Sequence, residues 1–226
     1  MKKLRFLFFP CLLSALLAFT TCSGDDNNTG RTETEDNGGE TKTDGKTLVV
    51  YFSQALPEDV DATTGATNVV RENDTNYGAA RYLALMVARK TDADTLRLTV
   101  ARGHYPIAYN DLATFARTER DNNSHPALTS RQVNMADYAN VILVTPIWWY
   151  TVPMPVYSFL DAYDLNGKNV FVATTHAGSS LADAIAVVRR EEPNAKVSST
   201  GLAVSASQVS AGTSSTVDRW LSEIGY

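Results

Sequence analysis

Hydrophobic residues follow two different spacings from Thr47 to the end of the chain. Short continuous apolar runs are typical of strands that are buried on both faces of a sheet. Segments with apolar residues three and four positions apart are typical of helices with one buried face. The runs predict strands at 47–53, 95–100, 141–145, 169–175 and 196–204. The spaced segments predict helices at 78–91, 109–120, 154–163, 180–192 and 216–224.

Each predicted strand is followed by a predicted helix along the whole of this region. The alternation predicts an α/β fold, a three-layer sandwich in which helices cover both faces of a five-stranded parallel sheet. Right-handed crossovers leave few strand orders, and 2-1-3-4-5 is the commonest. Ligands bind such sheets at the carboxyl ends of the strands, where the winding reverses between the first and third strands.

The third predicted strand is followed directly by large rings, in the segment Pro146-Ile147-Trp148-Trp149-Tyr150. Aromatic side chains just beyond a buried strand favour a flat platform on which a planar ligand can stack. We expect one tryptophan to pack in the core and the other to face the ligand. The pattern does not distinguish which is which.

The beginning of the chain has a different character. Residues 1–21 combine a basic start with an apolar stretch, which is typical of a secretory signal. The apolar part is short for a transmembrane helix, and polar residues follow it. Cys22 resembles the lipidated cysteine of bacterial lipoproteins, although Phe19 stands where a smaller aliphatic residue is usual. The alternative is an ordinary cleaved signal with an incidental cysteine.

Residues 22–46 are polar and acidic, which predicts a disordered tether. The tether carries much of the chain's formal charge of −5, and we interpret this charge as solvation of a linker. No basic cluster indicates nucleic acid as a partner. These features predict a folded domain at 47–226, exported and held at a membrane (periplasmic or cell surface) by the lipid anchor only.

The folded domain offers little dedicated side-chain chemistry. It contains no cysteine, which excludes disulfides, thiol catalysis and iron–sulfur ligation within it. His104, His125 and His176 lack metal-ligand spacing, so no metal site is expected. No Ser-His-Asp arrangement is supported by spacing, and no catalytic role is expected for His125. The acidic pair Glu191-Glu192, at a predicted helix end, is expected to be solvated.

Several segments of the domain resemble the flavodoxin-like FMN proteins, especially the single-domain group with a PxWW loop. They occur in the family's order, at 49–53, 146–160, 164–170, 175–180 and 217–225. The resemblance implies FMN as the cofactor, oxidoreduction or electron transfer by the flavin, and a site made from three loops. It implies no catalytic side chain, so whether the protein is an FMN-dependent oxidoreductase stays open.

The resemblance assigns roles to the loops after the third and fourth strands. The first, at 146–149, would lie along the isoalloxazine ring, and Tyr150 stands where many relatives have glycine. In the second loop, small residues would let backbone N–H groups approach the pyrimidine edge of the flavin. This loop reads Thr175-His176-Ala177-Gly178-Ser179-Ser180, with Ala177 and Ser180 replacing two glycines. His176 either hydrogen-bonds a ligand or is satisfied by local backbone.

The phosphate loop departs from the family pattern. Ser53, followed by Gln54, matches the first position, and after a long insertion Gly78-Ala79-Ala80 stand where the family has Gly-Asn-Thr. The helix N-terminus and its dipole remain for a phosphate, and residues 75–77 are candidate replacements for the lost side chains. Each lost hydrogen bond to a charged group costs about 1.5–3 kcal/mol.

The insertion at 54–77 contains a second segment, 62–67, that looks like the missing phosphate fingerprint. It does not follow a strand directly, and no helical apolar face lies behind it, so we interpret it as a turn. The insertion as a whole is longer than usual connections. It is either a lid or partner surface, or a flexible segment without function.

Two functions compete on this evidence. The first is a flavoprotein outside the cytoplasm, whose electron donor would be a membrane quinol or a redox protein. The second is a flavin-free binding or interaction module that takes another planar or anionic ligand. Ala79, Ala80 and Ala177 favour the second, and the intact aromatic loop favours the first. Acyl or phosphoryl hydrolysis lacks a recognisable nucleophile and base.

Overall fold

The computed structural model describes residues 45–54 and 70–226. Its strands are β1 (Thr47–Phe52), β2 (Val70–Glu72), β3 (Thr75–Tyr77), β4 (Asp94–Leu98), β5 (Asn140–Pro146), β6 (Asn169–His176), β7 (Lys196–Val197) and β8 (Leu202–Ser205). Its α-helices are α1 (Ala79–Thr91), α2 (Tyr109–Asp121), α3 (Met154–Ala162), α4 (Ala184–Glu191) and α5 (Ser214–Glu223). The predicted signal, the anchor at Cys22, most of the tether and the segment 62–67 lie outside the described residues.

The main sheet has the order β4-β1-β5-β6-β7, and β8 also pairs with β6. Every pairing in it is parallel. The predicted α/β fold with strand order 2-1-3-4-5 is therefore confirmed, with β7 and β8 as two pieces of the predicted fifth strand. The break between them has a local cause, since the amide of Thr200 donates to the hydroxyl of Ser198 at 3.0 Å instead of to a neighbouring strand.

Two apolar layers cover the sheet, as the continuous strand runs predict. All of β1 is buried, with Leu48, Val50 and Phe52 in one layer and Val49 and Tyr51 in the other. The first layer packs against α2, α3 and α4, and the second packs against α1 and α5. In the part of the chain that is described, no helix is both long enough and apolar enough to cross a bilayer.

Two expectations about local structure were wrong. The helix predicted from residue 180 begins at Ala184, because Ser180 and Ala182 have positive φ angles of 53° and 45° that interrupt a helix. Glu192 is not solvated. It is 8% exposed, and its carboxylate accepts a hydrogen bond from the amide of Leu165 at 3.2 Å.

Candidate functional site

The carboxyl ends of β1, β5 and β6 lie side by side. Tyr51 is in register with Val144, and Pro146 is in register with Thr175. Beyond the ladder, the amide of Ile147 donates to the carbonyl of Thr175 at 2.9 Å. The loops after β5 and β6 therefore meet at one edge of the sheet, beside the end of β1, where the sequence predicts ligand binding.

Trp148 is the tryptophan that packs inwards. Its half-buried ring meets the rings of Phe52 and Tyr105 edge-to-face, with centroids 5.4 Å apart in both pairs. Phe52 is the last residue of β1 and is 1% exposed. The aromatic loop is thus fixed to the core through Trp148.

Trp149 is the more exposed tryptophan, at 39%. Its indole N–H donates to the carbonyl of Ala113 in α2 at 2.8 Å. The guanidinium groups of Arg117 and Arg120 lie 5.3 and 5.7 Å from its ring centre, within cation–π range. Trp149 is therefore held in one orientation against α2, and its exposed part is available to a ligand.

The aromatic loop is a two-residue turn. Trp148 and Thr151 exchange two backbone hydrogen bonds, of 2.9 and 3.1 Å. The central residues, Trp149 and Tyr150, have φ angles of +51° and +64°, the combination of a type I′ turn. Such angles favour glycine, which explains why glycine suits the position of Tyr150 in the family pattern. Tyr150, 76% exposed, occupies it at a cost of about 1–2 kcal/mol.

The loop after β6 depends on one glycine and one histidine. Gly178 has φ = +121°, an angle that side chains disfavour. Its amide donates to Nδ1 of His176 at 3.0 Å, so His176 is satisfied by local backbone, one of the two alternatives. Burial lowers the pKa of His176 below its ordinary value of 6.5. Of the neighbouring small residues, Ala177 is exposed and Ser179 is half-buried.

The phosphate end of the predicted site consists of Ser53, Gln54 and the start of α1 at Gly78-Ala79-Ala80. At the start of α1 it offers backbone groups and no polar side chain. Gly78 is the N-cap of α1 and makes no side-chain capping bond, and the first turn contains no acidic residue. Ala79 and Ala80 are 3% and 0% exposed. Ser53 is buried at the end of β1, and Gln54 is half-buried. The positive end of the α1 dipole thus faces no carboxylate of its own first turn, as an anion site requires.

The candidate phosphate ligands at 75–77 belong to a hairpin that the periodicity did not predict. β2 and β3 pair antiparallel around Asn73 and Asp74, whose φ angles are +49° and +58°. Asn and Asp are among the few residues that accept such a turn, and this was the available signal. Tyr77 is committed to packing, with its ring 5.8 Å from that of Tyr82.

A polar cluster beside the aromatic loop was also not predicted. Glu119 of α2 is 6% exposed, and its carboxylate accepts bonds from Nε2 of His104 at 2.8 Å and from the hydroxyl of Tyr105 at 2.7 Å. Burial and the bond to Glu119 raise the pKa of Tyr105. The signal was a lone glutamate in helical spacing with Leu112 and Ala116 on the buried face of α2.

The residues present suit FMN unevenly. The fixed indole of Trp149 and the small residues of the second loop suit a flat, polar-edged ring system, and the start of α1 suits a phosphate through backbone and dipole alone. Metal chemistry has no comparable basis, since residues 45–54 and 70–226 contain no group of three His, Cys, Asp or Glu side chains arranged to hold an ion.

A family model described as flavodoxin matches residues 76–224, most of the chain. The chain belongs to the flavodoxin family. No protein with a curated description matches it. The family model begins at the end of the β2–β3 hairpin, so the match includes the start of α1 and both loops after β5 and β6.

Solved structures support the same fold for this chain. A protein classed as a flavoprotein from Bacteroides eggerthii is 22% identical, with a TM-score of 0.60, covering 81% of this chain and 99% of its own. One so classed from Bacteroides uniformis is 25% identical, with a TM-score of 0.59 and 80% and 99% covered. A flavoprotein from Lactobacillus acidophilus in complex with FMN is 16% identical, with a TM-score of 0.53 and 78% and 99% covered.

Proposed function

We propose that this protein binds FMN at the carboxyl edge of its sheet and transfers electrons outside the cytoplasm. The observation that carries the proposal is that β1, β5 and β6 end side by side, with the loops after β5 and β6 joined by the bond between Ile147 and Thr175. The FMN held by the Lactobacillus acidophilus structure supports the same cofactor.

When bound, FMN would supply one- or two-electron chemistry. The chain's own residues would bind and orient it. Trp149 would flank the ring system, and the amides near Gly178 would meet its pyrimidine edge. The start of α1, beyond Gly78, would hold the phosphate. Whether the protein acts as an FMN-dependent oxidoreductase or as an electron carrier depends on its partner, for which we propose a membrane quinol or a redox protein.

A flavin-free binding or interaction module is the second candidate. It is favoured by the burial of Ala79 and Ala80 at the start of α1, where the family pattern has polar side chains. Such a module would keep the aromatic loop but would lack the side chains that hydrogen-bond a phosphate.

Titration of the purified chain with FMN, and in parallel with riboflavin, separates the two candidates. Flavin absorbance and tryptophan fluorescence report binding. FMN binding that is at least tenfold tighter than riboflavin binding supports the flavoprotein. Absence of binding by both flavins supports the module and contradicts the proposed cofactor. Failure of the reconstituted flavin to be reduced by dithionite, a short-chain quinol and a reduced ferredoxin would contradict the redox role alone.

We also propose that the protein is exported and anchored through a lipid on Cys22, in accord with the signal-like segment that precedes it. Cys22→Ala should release the protein from the membrane fraction and abolish labelling by an alkyne-tagged fatty acid. Cys11→Ala is the matched control, because Cys11 lies within the predicted signal. Retention of the Cys22→Ala protein in membranes would contradict the anchor.

A further inference from the structure

A cavity of about 690 Å³ lies between the carboxyl ends of β1 and β4. It borders Ser53 and Gln54 on one side and the loop at 101–107 on the other, and its described lining includes no residue of the loops after β5 and β6. Its volume is within the range of about 300–1,000 Å³ that small-molecule sites occupy.

The charge of the cavity opposes that of the whole chain. Arg97, Arg102 and His104 line it, and among its described lining residues none is acidic. The chain as a whole carries a formal charge of −5. A concave surface lined by cationic groups concentrates anions from solution, so the cavity favours a negatively charged occupant.

The remaining wall is largely apolar. Phe52, Leu98 and Val100 contribute side chains, and the ring of Tyr105 adjoins Phe52 with centroids 6.1 Å apart. An anion without an apolar body would leave these side chains uncovered. The lining thus matches a molecule with one anionic end and one flat hydrophobic body.

His104 is held so that one ring nitrogen is available to such a molecule. Its Nε2 donates to the buried carboxylate of Glu119 at 2.8 Å, and its ring is fixed by edge contacts with Tyr105 and Phe115 at 4.6 and 5.3 Å. Among the described residues, none forms a hydrogen bond with Nδ1. A histidine whose second nitrogen is bound to a carboxylate is oriented in the manner of a preorganised ligand contact.

Hydrogen bonds fix the backbone segments that carry Arg102 and His104. The amide of His104 donates to the carbonyl of Ala101 at 3.0 Å, and Gly103 has φ = +79°, the angle that a type II turn requires at its third residue. On the far wall, the amide of Thr129 donates to the carbonyl of Thr99 at 2.7 Å. The cavity is therefore preformed, which lowers the entropic cost of binding.

We propose that this cavity binds a small aromatic carboxylate next to the flavin site. Arg102 would hold the carboxylate, since a guanidinium fork matches its two oxygens. His104 in its imidazolium form, with Nε2 donating to Glu119, would add a hydrogen bond from Nδ1. Phe52 and Leu98 would cover the ring. The site borders Ser53 and Gln54 of the loop after β1 but contains none of the proposed FMN contacts of the loops after β5 and β6, and it goes beyond the proposed function.

The test is calorimetric titration of the purified chain with 1-naphthoate, with 1-naphthalenemethanol as the neutral analogue of the same ring. We expect the acid to bind at least tenfold more tightly than the alcohol. Arg102→Gln should lose at least tenfold in affinity for the acid, because it removes a charged partner. Arg219→Gln, an exposed change on α5, should leave the affinity within twofold.

Equal binding of acid and alcohol, or an unchanged affinity in Arg102→Gln, would overturn the proposal. The titration is repeated with saturating FMN, and displacement of naphthoate by FMN would overturn the claim of a separate site. If FMN does not bind at all, the naphthoate titration alone still decides the matter, so the two proposals fail independently.

The role of His104 has its own readout in the ¹⁵N resonances of the histidine rings. Naphthoate should shift Nδ1 of His104 and leave those of His125 and His176 in place. Glu119→Gln should reduce naphthoate affinity about threefold or more and weaken the shift of the His104 Nδ1 resonance. Tyr105→Phe removes the other hydrogen bond to the Glu119 carboxylate, and it should preserve that shift. Unmoved His104 resonances on saturation would show that it makes no contact with the ligand.

Discussion

The two ends of the proposed flavin site are built by different means. At the ring end, side chains and unusual backbone angles define the loops, with Trp149 and Tyr150 at positive φ and Gly178 at +121°. At the phosphate end, the chain offers the start of α1 without a capping side chain, at Gly78. The ring end keeps its aromatic segment and Gly178, although Tyr150, Ala177 and Ser180 stand where the family pattern has glycine. The phosphate end keeps only its backbone.

Because the two ends are built differently, they contribute differently to the choice of ligand. A ring platform with fixed orientation, such as that of Trp149, selects planar molecules but leaves one flavin much like another. A phosphate contact distinguishes FMN from riboflavin, and here it depends on the helix dipole and backbone amides without the additional hydrogen bonds of polar side chains. We therefore expect selectivity for FMN over riboflavin to be smaller than selectivity for flavins over non-planar phosphates.

The tryptophan pair gives the largest expected effects and tests the ring end. Trp148→Ala should lower the free energy of unfolding by about 3 kcal/mol, because it empties the contact with Phe52 and Tyr105. Trp149→Ala should cost about 1 kcal/mol of stability but reduce FMN affinity roughly tenfold or more. Urea unfolding and FMN titration of both variants measure the two quantities. A loss of affinity in Trp148→Ala alone would reverse the assignment of the two rings.

Gly178→Ala tests the backbone of the loop after β6. A side-chain carbon added at this position would meet no atom within 4 Å, so the effect would come from the φ angle of +121° and not from a clash. We expect a loss of about 1–3 kcal/mol in stability and weaker FMN binding. Gly212→Ala is the control, since an added carbon there meets its nearest atom at 3.5 Å. Equal effects of the two changes, measured by urea unfolding, would contradict a special role for Gly178.

The comparison also shows where prediction from sequence succeeds. The strands of the main sheet were predicted because their residues are apolar on both faces. In β1, β5 and β6 the continuous apolar run is long enough to be recognised in the sequence. The β2–β3 hairpin was missed because strands such as Val70–Glu72 are too short to show a period. Its turn at Asn73 carried the only local signal.

Within the site, position was predictable and geometry was not. The loop containing Trp149 could be placed because it follows a buried strand, but its turn angles depend on the hydrogen bonds between Trp148 and Thr151. The pairing of His104 with Glu119 joins residues fifteen positions apart through the packing of α2. Contacts between separate elements leave no periodic trace in the sequence.

The phosphate end can be strengthened by one substitution if the proposal is correct. Ala79→Ser adds a hydroxyl at the first residue of α1, and it should tighten FMN binding about three- to tenfold while leaving riboflavin binding unchanged. Ala84→Ser is the matched control, because Ala84 is equally buried but lies in the interior of the same helix. If both flavins tighten equally, the phosphate does not contact this end of α1.

Tyr150→Gly tests the strain in the aromatic loop. Glycine accepts the φ angle of +64° without steric strain, and the exposed tyrosine ring contributes little packing. We expect the free energy of unfolding to rise by about 1 kcal/mol. Tyr150→Ala removes the ring but keeps the strain, so it should give no gain. Equal stability of the two variants by urea unfolding would show that the turn is not strained at this residue.

The smallest expected effect concerns His176 and pH. Its Nδ1 accepts the amide of Gly178 and therefore must be unprotonated, and burial lowers its pKa below the ordinary value of 6.5. The unfolded chain, with the ordinary pKa, then binds the proton more readily than the folded chain. Stability contributed by neutral His176 is thus fully present above pH 6.5 and is lost as the pH falls through the interval between the unfolded and folded pKa values.

His176→Asn should remove this pH dependence while preserving a short polar side chain beside the Gly178 amide. Urea unfolding at pH 7.5 and at pH 5, for both proteins, isolates the histidine, because the carboxyl groups titrate alike in each. We expect the stability of the wild-type chain to fall more than that of His176→Asn over this interval. A parallel fall in both would mean that protonation of His176 does not disturb the loop, and the ring end would then be held by the backbone of Gly178 alone.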